Sequence, residues 1–222
     1  MSQLARLLAS SIGRKILMAV TGLALIGFLV VHLAGNLLVF VGADAFNEHS
    51  HELISNPLIY VAEAGLLVLF VSHFLSGFSV TLQNRAARPV AYVMKRRAGH
   101  TSNKSLASTT MILSGLLLLV FVPFHLWTFK FGPWYETASQ PPERDLYRLV
   151  AEVFRNPLHV AWYELAMVVI GFHLWQGFGS AFETLGIGYR PAIRRTGRVL
   201  AVVLMGGFAV IPIALFVGVG TP

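Results

Sequence analysis

LHVAWYELAMVVIGFHLWQGFGSAF, residues 158–182, decides the fold. Glu164 is its only formally charged side chain, and the run exceeds the ~20 residues with which a helix crosses ~30 Å of hydrocarbon. His173 lies within it, four residues before Gly177. An imidazole in hydrocarbon is costly and needs a partner, so such a residue marks a functional site.

Three further apolar blocks carry a histidine in a similar context: Val31-His32-Leu33-Ala34-Gly35, Ser72-His73-Phe74-Leu75-Ser76-Gly77 and Phe124-His125-Leu126-Trp127. These blocks cover 16–41, 58–82 and 106–129, and a fifth at 199–219 has no histidine. The chain is 55% hydrophobic and 12% charged, with a mean hydropathy of +0.68, where soluble domains carry about 25% charged residues. The expectation is an all-α integral membrane protein, one domain over 1–222. Its five helices fall near 15–41, 58–83, 106–130, 157–184 and 198–219. Four similar histidine sites on four spans suggest two haems bound between helices I–IV. The first block follows Arg14 and Lys15 but is too long for a signal peptide and reads as a retained span. Cysteine is absent, which excludes covalent c-type haem, cysteine-held iron–sulfur clusters and disulfides within the chain.

The net charge of +7 is not the footprint of a nucleic-acid binder, because the cations are sorted by loop. Arg6, Arg14 and Lys15 precede the first span. Arg85, Arg88, Lys95, Arg96, Arg97 and Lys104 lie between the second and third, and Arg190, Arg194, Arg195 and Arg198 before the fifth. The other connections hold Asp44, Glu48 and Glu52, and then a mixed set. The positive-inside rule therefore puts the N-terminus in the cytoplasm and the C-terminus outside. The basic rim either only sets topology and touches anionic lipid, or docks a soluble partner centred on Lys95-Arg96-Arg97.

Among the connections, 42–57 reads as a short acidic loop, and 143–155 as a short amphipathic helix on the membrane surface. Asn56-Pro57 and Asn156-Pro157 open the second and fourth spans. Gly186 and Gly188 close the fourth, and Pro191 prevents its continuation.

Helix rise pairs the histidines by depth. At 1.5 Å per residue, His32 and His125 lie roughly 25 and 28 Å from the cytoplasmic ends of their helices, and His73 and His173 about 15 Å. An outer pair, His32 with His125, is thus separated by roughly 10–13 Å from an inner pair, His73 with His173. Two imidazoles per iron leave no open position for oxygen, which favours electron transfer. Gly77 and Gly177, each four residues beyond an inner histidine, would clear space for a macrocycle. Gly22 and Gly115, in Thr21-Gly22 and Ser114-Gly115, fall at the inner level. The competing reading makes each histidine an interhelical hydrogen-bonding group and each glycine an ordinary packing residue. His49, His51, His100 and His159 read as surface residues.

These contexts occur with His32-Leu33-Ala34-Gly35-Asn36-Leu37, Phe46-Asn47, Asp145-Leu146-Tyr147 and Ser180-Ala181-Phe182-Glu183-Thr184-Leu185-Gly186. Together they closely resemble the di-haem cytochrome b subunit of succinate dehydrogenases and fumarate reductases. More narrowly, the chain resembles the single-subunit, five-helix cytochrome b558-type anchor. The resemblance covers essentially the whole chain. It implies a bacterial cytoplasmic-membrane complex with a flavoprotein and an iron–sulfur subunit on the cytoplasmic face. The proximal haem b would take His73 and His173, and the distal one His32 and His125. Electrons would pass to a membrane quinone, menaquinone rather than ubiquinone; reducing a low-potential quinone with succinate is uphill, so the resemblance suggests coupling to proton movement.

Related fumarate reductases carry a functional glutamate two residues before the helix IV ligand, where this chain has Gly171. Glu63, Glu164 and Glu52 are the alternative carboxylates for a proton relay, or else are interfacial acids. Arg14, Lys15, Arg85 and Ser105 are within reach of the propionates of an inner haem. Two other functions compete: a di-haem b subunit of another membrane dehydrogenase, such as a hydrogenase or formate dehydrogenase, and a haem-free, proton-coupled membrane protein.

Overall fold

The computed structural model describes residues 10–87 and 109–218. Among these the chain is helical, and five helices are long and apolar enough to cross a membrane. Helix α1 spans Ser11–Asn36 and runs into a 3-10 turn, Leu37–Phe40. Helix α2 is Ala43–Ser55, α3 Ile59–Ala86, α4 Met111–Phe129, α5 Leu146–Val153, α6 Pro157–Thr184 and α7 Pro191–Phe216. The spanning helices are α1, α3, α4, α6 and α7, and the short helices α2 and α5 lie together over one end of the bundle. Ser105 and Lys95-Arg96-Arg97 lie outside the described residues.

Local chemistry sets the helix ends. The Ser10 hydroxyl accepts from Gly13 N–H at 3.0 Å and caps α1. Asn156 Oδ1 accepts from Leu158 N–H at 2.9 Å and caps α6, and Asn56 Oδ1 makes the matching bond to Leu58 N–H at 3.0 Å in the turn just before α3. The Ser10 and Asn156 caps each satisfy an amide that the first turn leaves without a helical partner. Gly186, with φ +88°, closes α6 in the left-handed conformation, and Ile187 N–H then reaches back to the Phe182 carbonyl at 3.1 Å.

Contacts at the two ends show that neighbouring spans are antiparallel. At one end the Arg14 guanidinium of α1 donates to Ser79 of α3, and Arg194 of α7 pairs with Glu183 of α6 at 2.8 Å. At the other, Lys130 just beyond α4 pairs with Glu63 near the start of α3. The core runs between α1, α6 and α7, with Ala166, Ala201, Leu204 and Leu215 almost fully enclosed. Glycines permit this packing: an added Cβ at Gly207 would meet Leu33 Cδ2 at 2.7 Å, and one at Gly197 would meet Phe178 Cδ1 at 2.6 Å. Helix α3 buries only Ser76 among its described side chains. Its apolar residues, Leu67, Val68, Val71 and Leu75 among them, face outward as a lipid-exposed surface requires.

The connections differ from the sequence expectation in three places. Residues 43–55 form helix α2 rather than a loop; its polar face hides a buried pair, Phe46 and Asn47. The amphipathic segment is helical only over Leu146–Val153. It buries Tyr147, Leu149, Val150 and Ala151 against protein instead of lying free on lipid. The fifth spanning helix starts at Pro191, seven residues before the expected start at 198. Its first-turn cations are accommodated by pairing, as Arg194 bonds Glu183 and lies 5.0 Å from the Tyr189 ring centroid.

Candidate functional site

Helices α3 and α6 present His73 and His173 to each other, with ring centroids 6.2 Å apart and planes at 73°. Helices α1 and α4 present His32 and His125, 5.9 Å apart at 90°. Each expected pair is therefore brought together in space. A metal–imidazole bond is about 2 Å, so one metal ion between two opposed ring nitrogens sets the centroids about 6 Å apart. Among the described residues no three of His, Cys, Asp and Glu converge. Each site thus holds two imidazoles, a donor set that would suit an iron whose other ligands come from a macrocycle, as in haem.

Hydrogen bonds determine which nitrogen of each inner ring is free. His73 Nδ1–H donates to the Met18 carbonyl at 3.0 Å, with Thr21 Oγ1 at 3.4 Å. Ser114 Oγ donates to the Met111 carbonyl at 2.9 Å, so towards His173 Nδ1, also 2.9 Å away, it acts as acceptor. The Met18 carbonyl, which can only accept, puts the His73 proton on Nδ1 and leaves its Nε2 lone pair; with the Ser114 proton on Met111, His173 takes the same tautomer. The outer rings are held differently. His32 stacks on Phe28 at 5.2 Å and His125 on Phe121 at 5.7 Å, each four residues earlier. His125 Nδ1 lies 3.3 Å from Tyr163 OH, and the Asn36 amide, which donates to the His32 carbonyl at 2.8 Å, lies 3.4 Å from His32 Nδ1.

The glycines divide by neighbour. A Cβ on Gly22 would fall 2.8 Å from His73 Cε1, and one on Gly115 3.8 Å from His173 Cε1. Gly77 faces Met18 and Gly177 faces Met111, at 3.4 and 3.9 Å by the same measure. The space at Gly22 therefore admits the imidazole itself. Gly35 plays a comparable part further out, where a Cβ would meet His49 Nε2 at 2.8 Å. His49 is thus packed between α2 and α1.

The remaining candidates separate clearly. Glu164 follows Tyr163 in α6, and its Oε1 is buried without a hydrogen-bond partner among the described residues. Glu63 is tied to Lys130 at the surface, and Glu52 is exposed. Arg14 is half-buried and bonded to Ser79, whereas Lys15 and Arg85 are exposed. Around the C-terminal end of α4 a cleft of about 370 Å³ is lined by Trp127, Thr128, Tyr135, Glu152 and His159 among others. Tyr135 OH donates to Glu152 Oε2 at 2.6 Å, and Arg148 Nε donates to Oε1 at 3.0 Å. These bonds push the Tyr135 pKa up and hold the Glu152 carboxyl below its usual range.

Sequence reasoning missed Met18, Met111, Phe28, Phe121 and Tyr163 as residues of the site. The signal for the first four was available, since they recur at matching distances from the histidines; Tyr163 had none.

No family model matches the chain, and no solved structure matches it. It is 24% identical over 179 residues, 80% of this chain and 81% of the relative, to the succinate dehydrogenase cytochrome b558 subunit of Bacillus subtilis (strain 168). That match extends along four fifths of each chain, and with five helices among the described residues long and apolar enough to cross a membrane, the chain is a multi-pass membrane protein similar to the succinate dehydrogenase cytochrome b558 subunit.

Proposed function

We propose that the chain is the di-haem cytochrome b anchor of a succinate:quinone oxidoreductase, passing electrons from an iron–sulfur subunit to a membrane quinone. The observation that carries this reading is the pair of facing imidazole couples, 6.2 and 5.9 Å between centroids, at two depths of one bundle. The relative's name supports a place in succinate dehydrogenase, and with it a flavoprotein and an iron–sulfur protein as partners.

His73 and His173 would hold the inner haem, and His32 and His125 the outer one. When bound, each b haem cycles between ferrous and ferric iron and carries one electron. The protein's own part is to fix imidazole orientation, exclude a third ligand and set the spacing. Gly22 and His32 are ten residues apart on α1, so the two sites are about 15 Å apart along it. The end bearing Arg14, Lys15, Arg85 and the first turns of α7 would face the cytoplasm and the soluble subunits, as the positive-inside rule requires. Arg14, being half-buried, is the cation best situated for a propionate.

The quinone, menaquinone in this reading, is assigned to the outer cleft, whose volume falls within the ~300–1,000 Å³ of ligand pockets. Glu164 is the carboxylate for proton exchange, because its buried oxygen has no competing partner among the described residues. Glu63 is already neutralised by Lys130.

A reduced-minus-oxidised optical spectrum of the purified chain tests the reading. A b-type α-band with two haems per chain is expected, together with co-purification of flavoprotein and iron–sulfur subunits. Absence of the band removes the haem assignment; different partners with the band present move the anchor to another dehydrogenase.

A further inference from the structure

One pattern occurs twice along the chain. Met18, Thr21, Gly22, Phe28 and His32 of α1 recur as Met111, Ser114, Gly115, Phe121 and His125 of α4, with identical spacing. Asn56, Pro57, Leu58, His73 and Gly77 recur likewise as Asn156, Pro157, Leu158, His173 and Gly177. The contacts repeat as well: each methionine faces the glycine of the following span, each phenylalanine stacks on its histidine, and each asparagine accepts from the N–H two residues on. The four site-bearing spans are therefore two copies of one helical hairpin.

At the inner level the repeated element is a hydroxyl followed by a glycine. In a helix, the side chain at i+4 lies over the turn bearing residue i. Glycine at 22 leaves the Met18 carbonyl open to His73, and glycine at 115 leaves the Met111 carbonyl open to Ser114. Each hydroxyl donates its proton to a carbonyl of its own helix, Thr21 to Leu17 at 2.6 Å and Ser114 to Met111 at 2.9 Å. With that proton committed, the oxygen offers only lone pairs to the imidazole. Among the described residues His173 has Ser114 as its one acceptor. His73 has two, the Met18 carbonyl and Thr21. No hydrogen bond engages Nε2 of either ring among the described residues.

We propose that Ser114, and Thr21 together with the Met18 carbonyl, are positioning residues that hold the inner imidazole protons on Nδ1 and deliver both Nε2 lone pairs to one metal ion. This rests on the di-haem reading above. An acceptor on Nδ1–H raises the basicity of the ligating nitrogen, which favours oxidised iron. Loss of the acceptor therefore moves the reduction potential upward and weakens the hold on the metal.

The test uses the full chain in its membrane complex, with redox titration of the α-band and haem release to an apoprotein acceptor. Ser114→Ala is expected to shift the midpoint of one haem to more positive values, leave the other unchanged, and speed release of the shifted haem about 10-fold or more. Ser114→Thr, which keeps the acceptor, should restore both properties. Thr21→Val should shift in the same direction by less, because His73 keeps the Met18 carbonyl. Unchanged midpoints and release in Ser114→Ala overturn the proposal and leave the di-haem reading standing. A wild-type chain without haem removes both. If Ser114→Ala is recovered without haem, native haem content in Ser114→Thr upholds the proposal, and loss there too assigns Ser114 to packing and overturns it.

Discussion

Asn47 of α2 and Asp145 at the head of α5 are joined by a 2.8 Å hydrogen bond from the amide to the carboxylate, across 98 residues of sequence. The same amide accepts from Tyr147 N–H at 2.9 Å, and Asp145 Oδ1 also caps α5 by accepting from Arg148 N–H at 3.0 Å. One buried side chain thus clips the two short helices that cover the outer end.

Replacing Asn47 with Leu keeps the volume and removes both bonds, leaving Tyr147 N–H unsatisfied in a buried setting. The expected destabilisation is about 1–3 kcal/mol, read as a lowered thermal midpoint in detergent. An unchanged midpoint would show that the clip contributes nothing net.

Replacement of His73 or His173 by Ala should remove the inner haem and weaken assembly with the soluble subunits. Replacement of His32 or His125 should remove the outer haem and spare the inner one. Haem content per chain and α-band shape report the outcome. Two haems retained in all four variants would refute the ligand assignment.

The Tyr135, Glu152 and Arg148 cluster predicts a pH dependence. Glu152 is held below its ordinary value, first by Tyr135 and then by Arg148. Its contribution is therefore present above the unfolded pKa of about 4.3 and disappears as pH falls through the lower folded value. Conversely, the bond to Glu152 raises the Tyr135 pKa. In Glu152→Gln, ultraviolet titration of Tyr135, isolated by subtracting a Tyr135→Phe chain, should move to lower pH.

Gly171 of α6 packs closely against α7. A Cβ there would lie 2.7 Å from Met205 Sδ. Gly171→Glu alone should lower stability by about 1–3 kcal/mol through overpacking, and Gly171→Glu with Met205→Ala should recover most of it. Equal melting of the single and double variants would show that Met205 moves aside freely.

The spans were legible because a bilayer demands about 20 apolar residues per helix, a signal that survives without any tertiary information. The histidine pairs were legible because helix direction and rise convert sequence position into depth. Helix α2 was not, since Asp44, Glu48 and Glu52 on its exposed side give it the composition of a loop. Only the placement of Phe46 and Asn47 against α5 reveals a buried face. The start of α7 was hidden for a related reason: Arg194 reads as a loop cation until Glu183 is found beside it. The use of Gly22 also needed coordinates, because spacing gives depth along a helix but not whether a ring or a macrocycle occupies the clearance.

The hairpin duplication has a consequence for biogenesis. The outer imidazole couple draws on the first and third spans, so its two ligands are both in the membrane once three helices have been inserted. The inner couple draws on the second and fourth, and the hydroxyl that orients His173 sits on the third. The order of translation therefore completes the His32 and His125 couple before the His73 and His173 couple, whose imidazoles meet only when the second hairpin is in place.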